Sequence, residues 1–435
     1  MTFSRFLYTV IFYLLSPVIV LRLVYRALKA PAYARRWSER FGFVDVPSSQ
    51  DIIWLHAVSV GETLAAIPLV KSLQHSYPNF RPSPSPNPSY SLMVTCMTPT
   101  GSERIKAAFG DSVDHSYAPY DMPDAVARFL NRVKPKVLII METELWPNTI
   151  AACSARNIPV ILANGRLSAK SARAYGKIPS LIGPMLQSMS TVVAQHSDDG
   201  ARFTDLGLPA SALSVSGNIK FDLHLDSEVQ GKAGLLGSEW RGDSQRLVWL
   251  AASTHRGEDE LILQAFGQIT KHLSGAAPLL VLVPRHPERF NTVAQLCENA
   301  GFKVARRSAG DATANVDILL GDTMGELMAF YGACDIAFVG GSLVPSGGHN
   351  MIEPAAWGVP ILMGPHLFNF TEASRLLIEG DAMVVCDSAE SLAGQCIGLF
   401  DDQQRRSEMG KAARLIAEAN RGALDRLLAV INHRL

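Results

Sequence analysis

From residue 50 onward, short apolar runs rich in β-branched residues alternate with amphipathic stretches, stop at a loose stretch near 222–242, and then resume. Continuous apolar strands separated by helices predict a parallel sheet covered on both faces. The predicted strands are IIWLHAVSV (52–60), SLMVTCMT (91–98), KVLIIME (136–142), PVILANG (159–165), STVVAQ (190–195), RLVWLAAS (246–253), PLLVLVPR (278–285), VDILLGD (316–322), DIAFVGGS (335–342), PILMGP (360–365) and AMVVC (382–386). The pattern therefore predicts an α/β protein of two doubly wound, Rossmann-like domains that face each other across a cleft, with ligands at the carboxyl ends of the strands.

The length of the chain, 435 residues, also suits two domains rather than one core. The expected organisation is a membrane anchor with a basic juxtamembrane segment (1–40), an N-terminal Rossmann-like domain (41–225), a linker (226–243), a C-terminal Rossmann-like domain (244–415) and a C-terminal helix able to pack back on the N-terminal domain (416–435). The Pro/Ser-rich insert RPSPSPNPS (81–89) is predicted to be a mobile surface loop without chemistry of its own.

The N-terminal segment is apolar from Phe6 to Leu21 and is then followed by a basic cluster. A cleaved signal peptide carries its positive charge before the apolar run, whereas only Arg5 precedes this one. The positive-inside bias keeps everything after residue 22 in the cytoplasm, beside anionic headgroups. The run is shorter than the ~20 residues of an upright span, so the segment either crosses the membrane or embeds in it.

Charge and cysteine usage narrow the possible classes of protein. Forty Lys and Arg residues balance 40 Asp and Glu residues, so the chain lacks the basic field of a nucleic-acid binder. The 6 cysteines are scattered without CxxC spacing. They indicate neither a disulfide framework nor a zinc site, and they favour a reducing compartment.

Glu62 belongs to Ser59-x-x-Glu62, directly after the first predicted strand. The spacing fits a capping box, in which the Ser59 hydroxyl caps a helix and the carboxylate returns to the Ser59 backbone amide. It equally fits a general base at the rim of a cleft. Both readings stay open from the pattern. The nearby His56 lies within a strand and is interpreted as a core histidine.

Charged residues follow other strands of the first domain. Glu142 and Glu144 end a buried strand, and we expect them to point to opposite faces, with only one facing the cleft. Glu-Thr-Glu is the nearest match to a metal-binding Asp-x-Asp, and no second carboxylate cluster accompanies it. Lys220 is either a solvated lysine or a cation that neutralises a substrate carboxylate or phosphate.

The second domain has the features of a site for an anion and a nucleoside. The turns Gly340-Gly341-Ser342 and 346–350 are rich in small residues and open onto a predicted helix containing Glu353. Glycines let a backbone approach a phosphate, and helix N-termini attract negative charge. Glu353 could accept hydrogen bonds from ribose hydroxyls. Arg285 is either a phosphate ligand or a member of a surface ion pair.

Several of these motifs together resemble one family. SVGE, METELWPN, NGRLS, SGNIKFD, VPRHPERF, GDTMGEL and GGSLVPSGGHNMIEP, with the anchor and the APAY..RW..RFG stretch at 30–42, are similar to the 3-deoxy-D-manno-octulosonic acid (Kdo) transferases of lipopolysaccharide assembly. The resemblance covers nearly the whole chain. It implies the GT-B fold, CMP-Kdo as donor, and lipid IVA, the tetra-acylated lipid A precursor, as acceptor.

The resemblance also implies roles for individual residues. Glu62 corresponds to the catalytic base, and Glu142 and Lys220 correspond to stabilisers of the transition state. The implied CMP contacts are Pro284, Arg285, Met324, Gly325, Glu326, Asn350, Met351, Ile352 and Glu353. No metal or cofactor is implied. The insert 81–89 departs from the more compact members of the family and leaves the chemistry unaffected.

The function implied is an inverting, metal-independent transfer of Kdo from CMP-Kdo to lipid IVA, on the cytoplasmic side of the cell inner membrane. The expected partners are CMP-Kdo, lipid IVA and inner-membrane lipids. One rival is a nucleotide-sugar epimerase, which shares the fold and releases sugar without a lipid acceptor. The other is a non-enzymatic tether, which binds nucleotide without turnover. The anchor and the acid at the first cleft argue against both.

Overall fold

The computed structural model of the chain describes residues 2–29, 31–45, 51–77, 90–273 and 277–435. The chain divides into two compact units, Met1–Asp222 together with Arg421–Leu435, and Leu223–Asn420. The insert 81–89, predicted as a mobile loop, lies outside the described residues.

The first unit is an α/β domain built on one parallel sheet. Its strands are β1 (Asp51–His56), β2 (Tyr90–Cys96), β3 (Asp114–Tyr117), β4 (Pro135–Met141), β5 (Val160–Gly165), β6 (Thr191–Ala194) and β7 (Leu213–Val215). Its helices are α1 (Phe3–Lys29), α2 (Val60–Ser76), α3 (Pro99–Phe109), α4 (Pro123–Val133), α5 (Pro147–Ser154), α6 (Ala169–Tyr175), α7 (Pro179–Gln187), α8 (Ser197–Asp205) and, from the end of the chain, α17 (Ala423–Asn432). Within the described part of the unit, the strand order is β3-β2-β1-β4-β5-β6-β7.

The second unit repeats this architecture. Its strands are β8 (Val248–Thr254), β9 (Leu279–Pro284), β10 (Val304–Arg306), β11 (Ile318–Leu320), β12 (Ile336–Val339), β13 (Ile361–Met363) and β14 (Met383–Val385). Its helices are α9 (Ser227–Arg241), α10 (Asp259–His272), α11 (Phe290–Asn299), α12 (Leu327–Ala333), α13 (Ile352–Trp357), α14 (Thr371–Glu379), α15 (Ala389–Asp401) and α16 (Gln403–Ala419). Its parallel sheet has the order β10-β11-β9-β8-β12-β13-β14 over the residues described.

Hydrophobic side chains cover both faces of each sheet. In β1, Ile53 and Leu55 belong to one buried cluster, and Ile52 and Trp54 belong to another on the opposite face. In β8, Trp249 likewise packs in a different cluster from its neighbours along the strand. This two-sided burial explains why the strands are continuous apolar runs. The predicted doubly wound α/β fold of both domains is confirmed.

Every predicted strand is confirmed, and three short strands were not predicted. These are β3, β7 and β10, which lie at edges of their sheets. Their sequences, DHSY, LSV and VAR, are short and only partly buried. An edge strand of this length needs no continuous apolar run, so it leaves little signal in the sequence.

The prediction of a loose linker at 226–243 is wrong, because α9 occupies most of it. Asp226 caps the helix by accepting a hydrogen bond from the Val229 backbone N–H at 2.8 Å. Trp240 is fully buried and packs edge-on against Phe330 of α12, with ring centroids 5.2 Å apart. The glycines in this segment disfavour a helix, which is why the sequence pattern did not predict α9. One of them, Gly237, allows close contact with Ala333 of α12.

The C-terminal segment divides between the two units at residues 420–421. α16 belongs to the second unit, whereas α17 belongs to the first and buries Ala423, Leu427 and Ile431 in its core. The carboxylate of Asp222 accepts hydrogen bonds from the backbone N–H groups of Gly422 and Leu424 at the start of α17. The last helix is thereby fixed to the first unit.

The basic juxtamembrane segment is partly built into the first unit. Arg36 donates hydrogen bonds to Ser102 and to the backbone carbonyl of His115, and its guanidinium lies over the ring of Tyr117. Arg40 is 2% exposed and lies over the same ring. These two arginines therefore hold the segment on the domain, and they are not free to meet lipid headgroups.

Candidate active site

Each sheet has one point at which the order of its strands reverses. In the first sheet, β2 and β3 lie on one side of β1, and β4 begins the other side. In the second sheet, β8 and β12 flank the corresponding point. Open parallel sheets bind ligands in the crevice outside the carboxyl ends of the strands at such a switch point. The residues that follow these four strands are therefore the first candidates for chemistry.

Glu62 lies in the first turn of α2, directly after β1, and its carboxylate is held by two hydrogen bonds. The Ser59 hydroxyl donates to Oε1 at 2.8 Å, and the Val58 backbone N–H donates to Oε2 at 2.7 Å. The Ser59 Oγ also accepts from the Glu62 backbone N–H at 3.2 Å. The helix cap predicted for Ser59 is confirmed, but the carboxylate takes the amide of Val58 rather than that of Ser59.

The environment of Glu62 favours its protonated form. Its side chain is buried, with 7% exposed, and burial raises the pKa of the carboxyl to about 7. The hydrogen bonds from Ser59 and Val58 oppose this rise, whereas the charges of Glu144 and Glu142 add to it. A carboxyl group with a pKa near neutrality can hold or release a proton at physiological pH. The Glu62 carboxyl is thus held at the start of α2 by Ser59 and Val58 and has a pKa near neutrality.

Glu142 and Lys220 form an ion pair in the same unit. Glu142 follows β4 with a φ of 58°, a left-handed conformation that non-glycine residues adopt rarely. Its backbone N–H donates to the carbonyl of Ala163 at 2.9 Å. Its Oε1 lies 2.8 Å from Nζ of Lys220, and both side chains are mostly buried. Strained backbone of this kind is concentrated at functional sites.

Asn164 positions the turn that carries Lys220, a role that the sequence did not reveal. It lies in β5, is fully buried, and has a φ of 53°. Its Oδ1 accepts a hydrogen bond at 3.1 Å from the backbone N–H of Ile219, the residue before Lys220. The NGRLS motif had marked the position without giving it a function.

Glu144 is a third carboxylate near this group. The expectation that Glu142 and Glu144 point to opposite faces is wrong, because side chains two residues apart in a strand point to the same face. Both residues also lie beyond β4, which ends at Met141. Burial raises the pKa of Glu144, and both carboxylates raise the pKa of Glu62. No group of three or more His, Cys, Asp or Glu residues suited to a metal ion occurs among the described residues.

His56 is a core histidine, as interpreted from the sequence. Its Nδ1 lies 2.9 Å from the Thr95 hydroxyl, and burial lowers its pKa to about 4. The ring is therefore neutral and hydrogen-bonded within the sheet.

In the second unit, Pro284 and Arg285 stand at the end of β9. Pro284 is buried, and Arg285 is half-buried with its backbone N–H donating to the carbonyl of Thr254 at 3.0 Å. The Arg285 guanidinium has no ion pair or hydrogen bond with any residue that the structure describes. The alternative of a surface ion pair is therefore not supported, and the cation is available to an anionic ligand.

Asn350 and Glu353 are joined to each other at the start of α13. Asn350 accepts from the backbone N–H of Ile352 and donates to Oε1 of Glu353, each at 3.1 Å. Burial raises the pKa of Glu353 to about 7, against the effects of Asn350 and Arg285. Met351 and Ile352 are fully buried, so only their backbone could contact a ligand.

The turn at Met324, Gly325 and Glu326 combines an exposed side chain with an ion-paired carboxylate. Met324 is 55% exposed and Gly325 has a φ of 86°. Glu326 pairs with Nζ of Lys232 at 2.9 Å and with Arg307 at 3.1 Å. Burial would raise the pKa of Glu326, but hydrogen bonds from these cations bring it to about 2. The carboxylate is therefore ionised and held in place by the protein.

The Gly340-Gly341-Ser342 turn does not offer its amides to a phosphate, contrary to expectation. The fully buried carboxylate of Glu258 accepts from the backbone N–H groups of Gly341, Ser342 and Leu343 at 2.7, 3.0 and 2.9 Å. It also accepts from the backbone N–H of His255 at 2.8 Å. Glu258 thus occupies the anion-binding turn and ties the loop after β8 to the loop after β12.

Two histidines at the second switch point also went unnoticed in the sequence. His255 follows β8, His349 lies in the loop after β12, and their Nε2 atoms are 2.8 Å apart. Only the tertiary fold brings them together, so no local motif could have indicated the pair.

Comparisons with known proteins agree with this architecture. The family described as 3-deoxy-D-manno-octulosonic-acid transferase (kdotransferase) matches residues 35–223. The chain is 44% identical to a 3-deoxy-D-manno-octulosonic acid transferase of Haemophilus influenzae, over 98% of both chains. It is 37% identical to the Bordetella pertussis transferase of the same name, again over 98% of both.

A solved structure supports the fold independently. The crystal structure of a glycosyltransferase from Rickettsia africae superposes with a TM-score of 0.58 at 14% identity, covering 89% of this chain and 99% of that one. This likeness concerns the fold alone, which is of the GT-B type. Identity over almost the full length of its relatives shows that the chain belongs to the 3-deoxy-D-manno-octulosonic acid (Kdo) transferase family and is a glycosyltransferase.

Proposed function

We propose that this Kdo transferase moves Kdo from CMP-Kdo to a sugar hydroxyl of lipid IVA with inversion at the anomeric carbon, and that Glu62 is the general base. The observation that carries the proposal is the buried carboxyl of Glu62. It follows β1 at the switch point of the first sheet, and its pKa is about 7. A base of that pKa accepts a proton from an attacking hydroxyl near neutral pH.

The hydrogen bonds to Glu62 leave room for this role. Ser59 and Val58 each occupy one lone-pair position on one oxygen. A carboxylate has about four such positions, so the acceptor hydroxyl can donate to another. The two contacts fix the side chain in one orientation, which favours a defined direction of proton transfer.

The ion pair of Glu142 and Lys220 suits the handling of negative charge. The Kdo donor carries a carboxylate and a phosphate, and charge builds up on the phosphate as the bond to the anomeric carbon breaks. A fixed ammonium group stabilises such charge without reorganising during the reaction. Glu142 holds Nζ of Lys220 at 2.8 Å, which supports a positioned cation in place of a mobile surface lysine.

We assign CMP to the second unit. The guanidinium of Arg285, which has no partner among the described residues, would meet the phosphate, and Glu353, held by Asn350, would accept from ribose hydroxyls. The backbone of Met351 and Ile352 and the turn from Met324 to Glu326 complete the proposed contacts. The proposal includes neither a metal ion nor a cofactor, since positive charge is assigned to Lys220 and Arg285.

The helix α1 supports attachment to the cytoplasmic face of the inner membrane. Its Phe3–Leu28 stretch is long and apolar enough to cross a membrane, and 11% of its most apolar window is buried. Tyr8 and Tyr13 donate to Asp121 and Asp124 of the first unit, so one side of the helix is docked on the domain. We infer that α1 lies along the membrane surface with its other side in lipid, because an upright span would carry those aspartates into hydrocarbon.

Analysis of the lipid product tests the proposed reaction. Purified protein, CMP-Kdo and lipid IVA are incubated, and the lipid is examined by mass spectrometry and by the anomeric configuration of the new bond. The proposal predicts addition of Kdo with inverted configuration and release of CMP. Release of free sugar without lipid modification, or retention of configuration, would contradict it.

A further inference from the structure

We propose that His255 and His349 form a proton-sharing pair that binds the phosphate of the nucleotide and takes up one proton when the nucleotide binds. The inference rests on the proposed assignment of CMP to the second unit. It adds two residues to that site and predicts a coupling between nucleotide binding and pH.

The geometry of the two rings defines a hydrogen bond between imidazoles. Their Nε2 atoms are 2.8 Å apart, their centroids are 5.0 Å apart, and their planes differ by 17°. The centroid distance equals roughly the nitrogen–nitrogen distance plus the two ring radii, so the rings meet edge to edge. Such a contact requires one Nε2 to carry a proton and the other to accept it.

The surrounding loop is shaped to allow this contact. Gly341 has a φ of 69°, and a Cβ atom placed there would lie 3.0 Å from Cδ2 and 3.2 Å from Nε2 of His349. The same Cβ would lie 3.5 Å from Cδ2 of His255. Glycine at this position therefore leaves space for both rings. Glu258 fixes the two loops by accepting amides from both of them.

The pair lies where the fold binds ligands. His255 follows β8, and His349 precedes Asn350 in the loop after β12, so the two residues occupy the switch point of the second sheet. The Gly341 and Ser342 amides are already bonded to Glu258, so these two amides are not available to a phosphate. The Nδ1 atoms of both histidines have no hydrogen-bond partner within the described part of the chain.

The charges around the pair keep it neutral while no anion is bound. Burial lowers the pKa of His349 to about 3, and Arg285, His255 and His286 act in the same direction. Burial also lowers the pKa of His255. Glu258 opposes this decrease, whereas His286, Arg289 and Arg285 add to it. A phosphate brings the negative charge that favours the imidazolium form. A proton from solvent then binds Nδ1 of the ring that donates through Nε2, and the Nδ1–H group of this imidazolium binds the anion.

Calorimetry of the unmodified, full-length protein tests the coupling directly. CMP is titrated at about pH 7.5, where a phosphate monoester is already mostly dianionic, in buffers of different ionisation enthalpy. The expected result is uptake of about one proton for each CMP bound. Binding of CMP without proton uptake would overturn the inference and leave the donor assignment intact, whereas absence of CMP binding would overturn both.

Variants separate a role in phosphate binding from a role in holding the loop. His349→Gln and His255→Gln retain a hydrogen-bonding amide, and His272→Gln changes an exposed histidine at the far end of α10 as the control. We expect the first two to lose the proton uptake and to bind CMP roughly tenfold more weakly or worse, with the control unchanged. Proton uptake and affinity equal to those of the unmodified protein would contradict the proposal.

Discussion

Nζ of Lys220 lies 2.8 Å from Oε1 of Glu142, a residue whose left-handed backbone directly follows β4. The side chain of Asn164 accepts a hydrogen bond from the backbone next to Lys220 and so holds the segment that carries this lysine. A strained residue, a buried amide and a lysine from three different segments thus fix one ammonium group. The ammonium group is held more rigidly than in a surface ion pair, because its partners are mostly buried and have little freedom.

Replacing Lys220 tests whether this ammonium group acts in the reaction. For Lys220→Gln we expect kcat to fall roughly a hundredfold or more, since a preorganised charge at developing negative charge contributes that much. CMP binding, which we assign to the second unit, should not change. Steady-state kinetics with lipid IVA check this, with Lys177→Gln, an exposed lysine of the same unit, as the control. A Lys220→Gln enzyme with unchanged kcat would contradict the role.

The raised pKa of Glu62 predicts how a variant changes stability with pH. The pKa is about 7 in the folded protein and about 4.3 in an unfolded chain. A raised carboxyl pKa favours folding below the unfolded value, and that contribution disappears as the pH rises through 7. The unmodified protein should therefore lose stability relative to Glu62→Gln as the pH rises from about 5 to about 8, by on the order of 2–3 kcal/mol. Denaturant unfolding at both pH values measures it, and a pH-independent difference would show that Glu62 has an ordinary pKa.

Replacing Glu258 tests whether the hydrogen bonds that join the two loops are needed for CMP binding. A glutamine has one acceptor oxygen, so Glu258→Gln cannot satisfy the amides of His255, Gly341, Ser342 and Leu343 together. We expect a loss of about 1–3 kcal/mol in unfolding free energy and weaker CMP binding. Glu260→Gln, at an exposed position two residues away, is the control. Equal CMP affinity in the two variants would show that Glu258 does not organise the site.

The exposed side of α1 is predicted to enter the lipid surface. Leu14 and Leu21 are 73% and 67% exposed, and glutamate at either position should weaken binding to anionic vesicles roughly tenfold or more. Leu415, which is 65% exposed on α16 of the second unit, provides the matched control as Leu415→Glu. Vesicle flotation measures the bound fraction. Unchanged binding of the α1 variants would exclude this side as the lipid contact.

The sequence predicted most of the fold because buried parallel strands leave long apolar runs. It failed where that signal weakens, at the short edge strands and at α9, whose glycines disguise a helix that packs closely on α12. The approximate position of each candidate site also followed from the sequence, since polar motifs after strands must lie at the carboxyl edge of the sheet.

The partners within each site could not be predicted in the same way. Glu142 contacts Lys220, and Glu258 fills the turn expected to bind phosphate, only because distant loops converge in three dimensions. The expectation that Glu142 and Glu144 point to opposite faces failed because side chains two residues apart in a strand share a face, and because both residues lie beyond the end of β4. Local sequence patterns indicate the element on which a side chain lies, whereas its contacts depend on the tertiary structure.

The pH dependence of kcat/KM for Kdo transfer, measured for the unmodified enzyme and for Glu62→Gln, tests the central claim most directly. If Glu62 is the base, the rate of the unmodified enzyme should fall about tenfold for each pH unit below about 7, because the protonated carboxyl cannot accept a proton. Glu62→Gln should be slower by roughly a hundredfold or more, should lose this acidic limb, and should bind CMP normally. A Glu62→Gln enzyme that retains both the rate and the pH profile would contradict the account.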